Sequence, residues 1–318
     1  MKAPLLEVKD LRKHFPIGGN SKNGVVKAVD GVNLIVHEGE TLGIVGESGC
    51  GKSTVGRLIL RLLDLTSGEI RFNGVDLGSM NQRQLRPLRK DLQCVFQDPF
   101  ASLNPRMSVG SAIAEPMYLQ AGLSRAEAYK RAEDLLETVG LSRQAAALYP
   151  HEFSGGQRQR IAIARAVSVK PKLIVADEAV SALDVSIQAQ IVNLLGDLQA
   201  QTKVSYLFIS HNLSIVRHIS DRVAVMYLGR VVETATRDQL FDSPKHPYTQ
   251  ALLSSVPEPD VDQKRERIVL SGEVPNAANP PSGCAFHPRC PHATERCKIE
   301  QPAFREVEPG HFASCHFI

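Results

Sequence analysis

The octapeptide "GESGCGKS", Gly46 to Ser53, limits what this chain can fold into more than any other stretch. It follows the apolar run "TLGIV" and precedes a helical pattern over 53–63. A strand that turns through glycines into a helix N-terminus needs backbone conformations that glycine adopts cheaply. Such a loop points its N–H groups inward, and the helix end adds favourable partial charge, which together make a cradle for phosphate. Gly46, Glu47, Ser48, Gly49, Cys50 and Gly51 form the turn, and Thr54 continues the helix that Lys52 and Ser53 open. Lys52 is placed to reach the β- and γ-phosphates, and the Ser53 hydroxyl to ligate Mg²⁺. The pattern predicts a nucleoside triphosphate site.

A second stretch supplies the complementary half. "KLIVADE" is an apolar strand ending in Asp177 and Glu178. Asp177 suits Mg²⁺ coordination through water, and Glu178 suits a general base that polarises the attacking water. An acidic pair at a strand end is commonplace by itself; the glycine loop upstream gives it meaning.

Other strand-like runs are "LLEV", "GVNLIV", "VSYLFIS" and "RVAVMYL", alternating with helical patterns over 125–139, 156–168 and 186–201. That alternation predicts an α/β fold with parallel crossovers. Residues from about 101 to 168 break the rhythm and read as a helical subdomain inserted in the sheet. "SVPEPDVDQKRER" (255–267) reads as a linker, and four of the six cysteines follow it in the last 35 residues. The expected domains are 1–256, holding the nucleotide site, and 257–318, holding the linker and cysteines.

Composition excludes several alternatives. With 37 basic and 34 acidic residues and no tryptophan, the chain offers neither the charge nor the stacking surface of a nucleic-acid binder. The basic stretch 81–90 reads as a solvated helix face. No run reaches the roughly 18 apolar residues of a membrane span, and "MKAPLLEVKDLRKHF" lacks the apolar core of a signal peptide. The expected location is the cytosol, where disulfides rarely persist.

"FSGGQRQRIAIARA" (153–166) narrows the family. Ser154, Gly155, Gly156 and Gln157 resemble the signature motif of ABC-type ATPases. "VFQDP" resembles that family's Q-loop at Gln97, "SALD" its D-loop ending at Asp184, and "ISHNL" its H-loop at His211. The resemblance implies a P-loop ABC core, mostly parallel sheet with an antiparallel part, a helical insertion and a small cysteine-rich appendage. It also implies that two cassettes pair head to tail, so that 154–157 serve the partner's ATP. His211 would contact the γ-phosphate, Gln97 would sense Mg²⁺ and water, and Phe15 would stack on adenine, although a shielding core phenylalanine is an open alternative. Ala179 stands where the family usually has proline, and Asn212 where it commonly has aspartate. A thiol at Cys50, beside the phosphates, is expected to be sensitive to alkylation.

"SLNPRMSVG", "MYLGRVVE", "HPYTQALLSSVP" (246–257) and "SGEVPNAANPPSGCAFHPRCP" resemble the oligopeptide/dipeptide branch of bacterial ABC importers, and the "DEAVSALDVS" segment and overall length resemble the second, F-type ATPase of such systems. This implies a subunit peripheral to the cytoplasmic face of the cytoplasmic membrane. Its implied partners are a second, related ATPase, two integral membrane permease subunits and, indirectly, a solute-binding protein. Importers of nickel or metallophores and of glutathione, and soluble ABC ATPases, are the alternatives. Cys284, Cys290, Cys297 and Cys315 have the spacing C-x₅-C-x₆-C-x₁₇-C, which matches neither common zinc sites nor bacterial ferredoxins. Within the branch the four resemble a set that can hold a [4Fe–4S] cluster; zinc, helped by His287 or His316, and no metal at all stay open.

Overall fold

Every residue of the strand before the glycine loop, Thr41–Val45, is buried, as a strand covered on both faces requires. The computed structural model describes residues 4–19, 24–98, 102–255 and 268–318. Apart from Ser255, the predicted linker lies outside these residues, as do Ala101 and Pro99. Twelve strands occur among the described residues: β1 (Pro4–Pro16), β2 (Val25–His37), β3 (Thr41–Val45), β4 (Ser67–Phe72), β5 (Val75–Asp76), β6 (Leu92–Val95), β7 (Leu173–Asp177), β8 (Ser205–Ile209), β9 (Arg222–Tyr227), β10 (Arg230–Thr236), β11 (Arg305–Glu308) and β12 (His311–Ala313). No described helix is long and apolar enough to cross a membrane.

The chain forms two compact units that interleave along the sequence. One is built mainly from 79–209. Its strands β6, β7 and β8 are parallel, with Val95 opposite Ala176 and Asp177 opposite Ile209. All of β7 and β8 is buried, which explains their unbroken apolar sequence. The same unit carries the helices Val109–Gln120, Arg125–Thr138, Gly155–Val167 and Val185–Thr202. Ser124 and Glu127 start the second of these with reciprocal caps, Ser124 N–H to the Glu127 carboxylate at 3.1 Å and Glu127 N–H to Ser124 Oγ at 3.3 Å. A methyl group at Gly110 would stand 2.8 Å from Tyr129 and 2.9 Å from Ala146, so this glycine sets the close packing of the helical region. From 102 to 168 the described residues contain helices and turns but no strand.

The other unit takes 5–35, 41–78 and the described residues beyond 209. It holds an antiparallel sheet in the order β2-β1-β4-β5, and a second set in the order β11-β12-β10-β9-β3. Only β3 and β9 of that set are parallel, Val45 lying opposite Val225. The cysteine-rich tail is not a freestanding appendage: β12 pairs with β10, Glu233 opposite Ala313. The helix after the glycine loop is Lys52–Ile59, shorter than the predicted 53–63. It stops because Arg61 takes a left-handed conformation (φ 50°) and turns its side chain inward, where Nε donates to the Leu77 carbonyl at 3.0 Å.

Candidate functional site

The glycine loop joins β3 to the helix Lys52–Ile59 with Gly46, Gly49 and Gly51 at φ 150°, 77° and 104°. A Cβ at Gly46 would meet the Met226 carbonyl oxygen at 2.2 Å, and one at Gly51 the Ala28 carbonyl oxygen at 2.2 Å. Both positions are therefore closed to any side chain by backbone atoms, which cannot yield. Lys52 is 4% exposed, and its Nζ donates to the carbonyls of Gly46 at 2.8 Å and Glu47 at 3.0 Å. Ser48 and Gly49 are exposed at the loop's tip, and Ser53 and Thr54 are half-buried in the first helical turn. Tight glycines, a lysine folded into the loop and a helix N-terminus behind it fit a triphosphate as ligand.

Cys50 departs from expectation. It is 5% exposed, and burial raises its pKa, an effect that Lys52 only partly offsets. A buried, protonated thiol is a poor nucleophile, so the structure argues against the alkylation sensitivity that sequence position suggested.

In the other unit, the parallel register brings Asp177 to the carboxyl end of β7, where sites of parallel sheets form. Gln97 lies two residues beyond the end of the neighbouring β6 and is exposed. Asp177 is 7% exposed, and Glu178 is half-buried with φ 49°. Ser181 secures the turn that follows, its N–H and Oγ both donating to the Glu178 carbonyl at 3.1 and 3.0 Å.

Ser154 caps the helix Gly155–Val167 reciprocally with Gln157: Ser154 N–H donates to Gln157 Oε1 at 2.9 Å, and Gln157 N–H to Ser154 Oγ at 3.4 Å. The cap is exposed, so a 13-residue helix presents its positive end to solvent. Arg158 anchors the base of the motif, its Nε donating to the Pro150 carbonyl at 2.6 Å. Asp184 is exposed at the N-cap of Val185–Thr202. In the unit of the glycine loop, His211 is exposed, and the neighbouring Asn212 caps the next helix through Oδ1, accepting from the N–H groups of Ser214 and Ile215. Asparagine caps as well as aspartate, so that departure from the family changes little. Phe15, half-buried near the end of β1, has Lys13 Nζ 5.0 Å from its ring centroid.

Sequence reasoning missed two residues that touch the glycine loop. Tyr248 Oη accepts the Glu47 N–H at 2.9 Å, and Arg289 grips the Glu47 carboxylate. Both lie in stretches recognised only by resemblance. A cavity of about 410 Å³ lies elsewhere in the same unit, lined by Asp30, Arg230, His246, Cys284 and Phe286 among others. Its charges are already paired: Asp30 accepts from Arg12 at 2.8 Å and from Arg230 at 2.6 Å.

The cysteines are close in the fold without forming a metal site. All four are free thiols, and the Cys284 N–H donates to the Cys297 carbonyl at 2.8 Å. Burial raises the Cys284 pKa to about 11, with Cys297, Cys315 and Cys290 adding to it, and the pKa values of Cys290 and Cys315 are raised as well. Among the described residues, however, no group of three or more His, Cys, Asp or Glu could hold a metal ion. The expected [4Fe–4S] cluster, and zinc with it, is therefore unsupported. The tail is held by other means: β-pairing, the buried Phe286, and a buried contact between His311 Nε2 and Glu233 at 2.7 Å.

A parallel-strand glycine loop, an acidic strand end and an outward-facing capped S-G-G-Q helix define an ABC-type ATPase cassette, and the chain belongs to the ABC transporter family. The ABC transporter domain matches residues 29–181, and the oligopeptide/dipeptide transporter C-terminal region matches 232–297. The chain is 56% identical to the oligopeptide transport ATP-binding protein AppF of Bacillus subtilis (strain 168), over 98% of this chain and 97% of that one. It is 52% identical to the putative oligopeptide transport ATP-binding protein YkfD of the same organism, over 98% and 95%. Among solved structures it resembles the cassette MJ0796 in a dimeric post-hydrolysis state bound to ADP and Pi (TM-score 0.65, 28% identity, 73% of this chain and 98% of that one). It also resembles CbiO1 of Clostridium perfringens, part of the ABC transporter complex CbiONQ (TM-score 0.67, 28% identity, 76% and 92%).

Proposed function

We propose that this chain is the ATP-hydrolysing subunit of a peptide importer, peripheral to the cytoplasmic face of the bacterial cytoplasmic membrane. The observation that carries this reading is similarity to oligopeptide transport ATP-binding proteins along the whole chain, tail included. Its partners would be a second, related ATPase and two membrane permeases, with a solute-binding protein supplying the peptide. The cassette would span 1–256 and the transporter-specific region 257–318.

Each residue has a role in this reading. The loop from Gly46 to Gly51 would wrap the phosphates in N–H groups, and Lys52 would exchange the Gly46 and Glu47 carbonyls for phosphate oxygens. Bound Mg²⁺ would neutralise phosphate charge, with Ser53, Asp177 and Gln97 as its holders. Glu178 would take the proton of the attacking water, and His211 would meet the γ-phosphate. Ser154 to Gln157 would close on the ATP of the partner cassette, with Asp184 beside the same interface. The positive helix end is suited to the charge that develops there. Phe15 would stack on adenine.

Tagging the chain in its host, solubilising the membranes gently and identifying the co-purifying proteins tests the assignment. Two multispanning proteins with a related ATPase are expected. Ribosomal or DNA-repair proteins without membrane subunits would overturn the transport role while leaving the ATPase chemistry.

A further inference from the structure

The tail reaches the phosphate loop through one residue. Arg289 donates from Nη1 to Glu47 Oε2 at 2.7 Å and from Nη2 to Glu47 Oε1 at 3.0 Å. A forked pair of this kind fixes orientation as well as distance. Glu47 is tied at two further points: its N–H donates to Tyr248 Oη, and its carbonyl accepts from Lys52 Nζ. The residue beside Gly46 is thus fastened to the tail on one side and to the phosphate-reaching lysine on the other.

The fastening is itself rigid. Arg289 is 7% exposed, and its guanidinium lies 5.9 Å from the centre of the Tyr227 ring. Tyr227 packs on Tyr248 with centroids 4.7 Å apart, and edge-on against Phe286 at 5.3 Å. Phe286 comes from the tail and is 1% exposed. The turn His287–Arg289 then aims the guanidinium, the Arg289 N–H donating to the Phe286 carbonyl at 3.0 Å. By contrast, three glycines with positive φ leave the loop little stiffness of its own.

We propose that Arg289 is a positioning residue for ATP. It locks Glu47, and through Glu47 the loop and Lys52, in the conformation that receives the triphosphate, so that less ordering is left to be done on binding. It also neutralises a carboxylate that would otherwise repel the phosphates. The transporter-specific tail therefore tunes the nucleotide site of its own chain. This inference rests on the nucleotide site assigned above.

The test is binding of a fluorescent ATP analogue to the full chain. Arg289→Ala should raise Kd about tenfold, equivalent to about 1.4 kcal/mol. Arg289→Lys, which keeps the charge without the fork, should fall between. Adding Glu47→Gln to Arg289→Ala should recover part of the affinity, because the unpaired carboxylate is gone; a purely structural role predicts no recovery. If wild type fails to bind while folded, the nucleotide assignment itself fails. If wild type binds and Arg289→Ala binds equally well, even with a lower melting temperature, only the positioning role is overturned. Should Arg289→Ala not fold, an unchanged Kd in Arg289→Lys overturns it.

Discussion

The Glu178 N–H donates to the Ile209 carbonyl at 2.9 Å, which holds Glu178 at φ 49° where β7 ends. For a residue other than glycine this left-handed conformation costs about 1 kcal/mol. The strand pairing, together with the two bonds from Ser181, sustains it. The backbone thus helps to aim this carboxylate.

Glu178→Gln keeps the size of the side chain and leaves that backbone intact. ATP binding should persist while phosphate release slows about 100-fold or more, the range of a lost general base. A colorimetric phosphate assay beside a binding titration separates the two effects. An unchanged hydrolysis rate would remove Glu178 as the base.

Lys52→Ala removes the ammonium that bridges the Gly46 and Glu47 carbonyls. Nucleotide affinity should drop below detection in an equilibrium titration. Stability should fall by only about 1–3 kcal/mol, the cost of leaving buried acceptors unmet. Retained affinity would show that triphosphate is bound elsewhere.

The two glycines of the signature motif respond differently to a methyl group. At Gly156 a Cβ would stand 2.7 Å from Ile187 Cγ2, whereas at Gly155 the nearest atom is Leu183 Cδ2 at 3.7 Å. Gly155→Ala should therefore melt like wild type, and Gly156→Ala lower. If the partner's nucleotide closes on this helix end, both should lose hydrolysis while each chain still binds ATP. Full ATPase activity in Gly155→Ala would argue against that closure.

Much of this was legible in the sequence because single segments carried it. The loop glycines, the buried runs of β7 and β8, and the Ser154 cap each announce themselves within a few residues. Strand β6 was hidden because only four residues long, and β12 because its pairing with β10, Glu233 opposite Ala313, joins segments far apart in sequence. Arg289 and Tyr248 were illegible because contacts spanning 242 and 201 residues leave no local periodicity. The cysteines show the converse, a conspicuous local pattern whose side chains do not assemble into a metal site.

His246 gives the tail's docking a pH dependence. It is 1% exposed, its Nδ1 accepts the Tyr248 N–H at 3.1 Å, and its own N–H donates to Glu233 at 2.9 Å. Burial lowers its pKa from 6.5 to about 4, against the opposing pull of Glu233 and the Ser314 backbone. Between those values the unfolded chain takes up a proton that the folded chain refuses. The contribution of neutral His246 is therefore complete above 6.5 and shrinks as pH falls toward 4. At about 1.4 kcal/mol per pH unit the loss is a few kcal/mol at most. His246→Asn retains a capping oxygen for the Tyr248 N–H but cannot titrate. In urea unfolding at about pH 7 and about pH 5, wild type should lose distinctly more stability than His246→Asn, even though the variant starts lower. The Glu233–His311 contact is common to both proteins and cancels in the comparison. Equal losses would mean that His246 takes up its proton as readily in the folded chain as in the unfolded one.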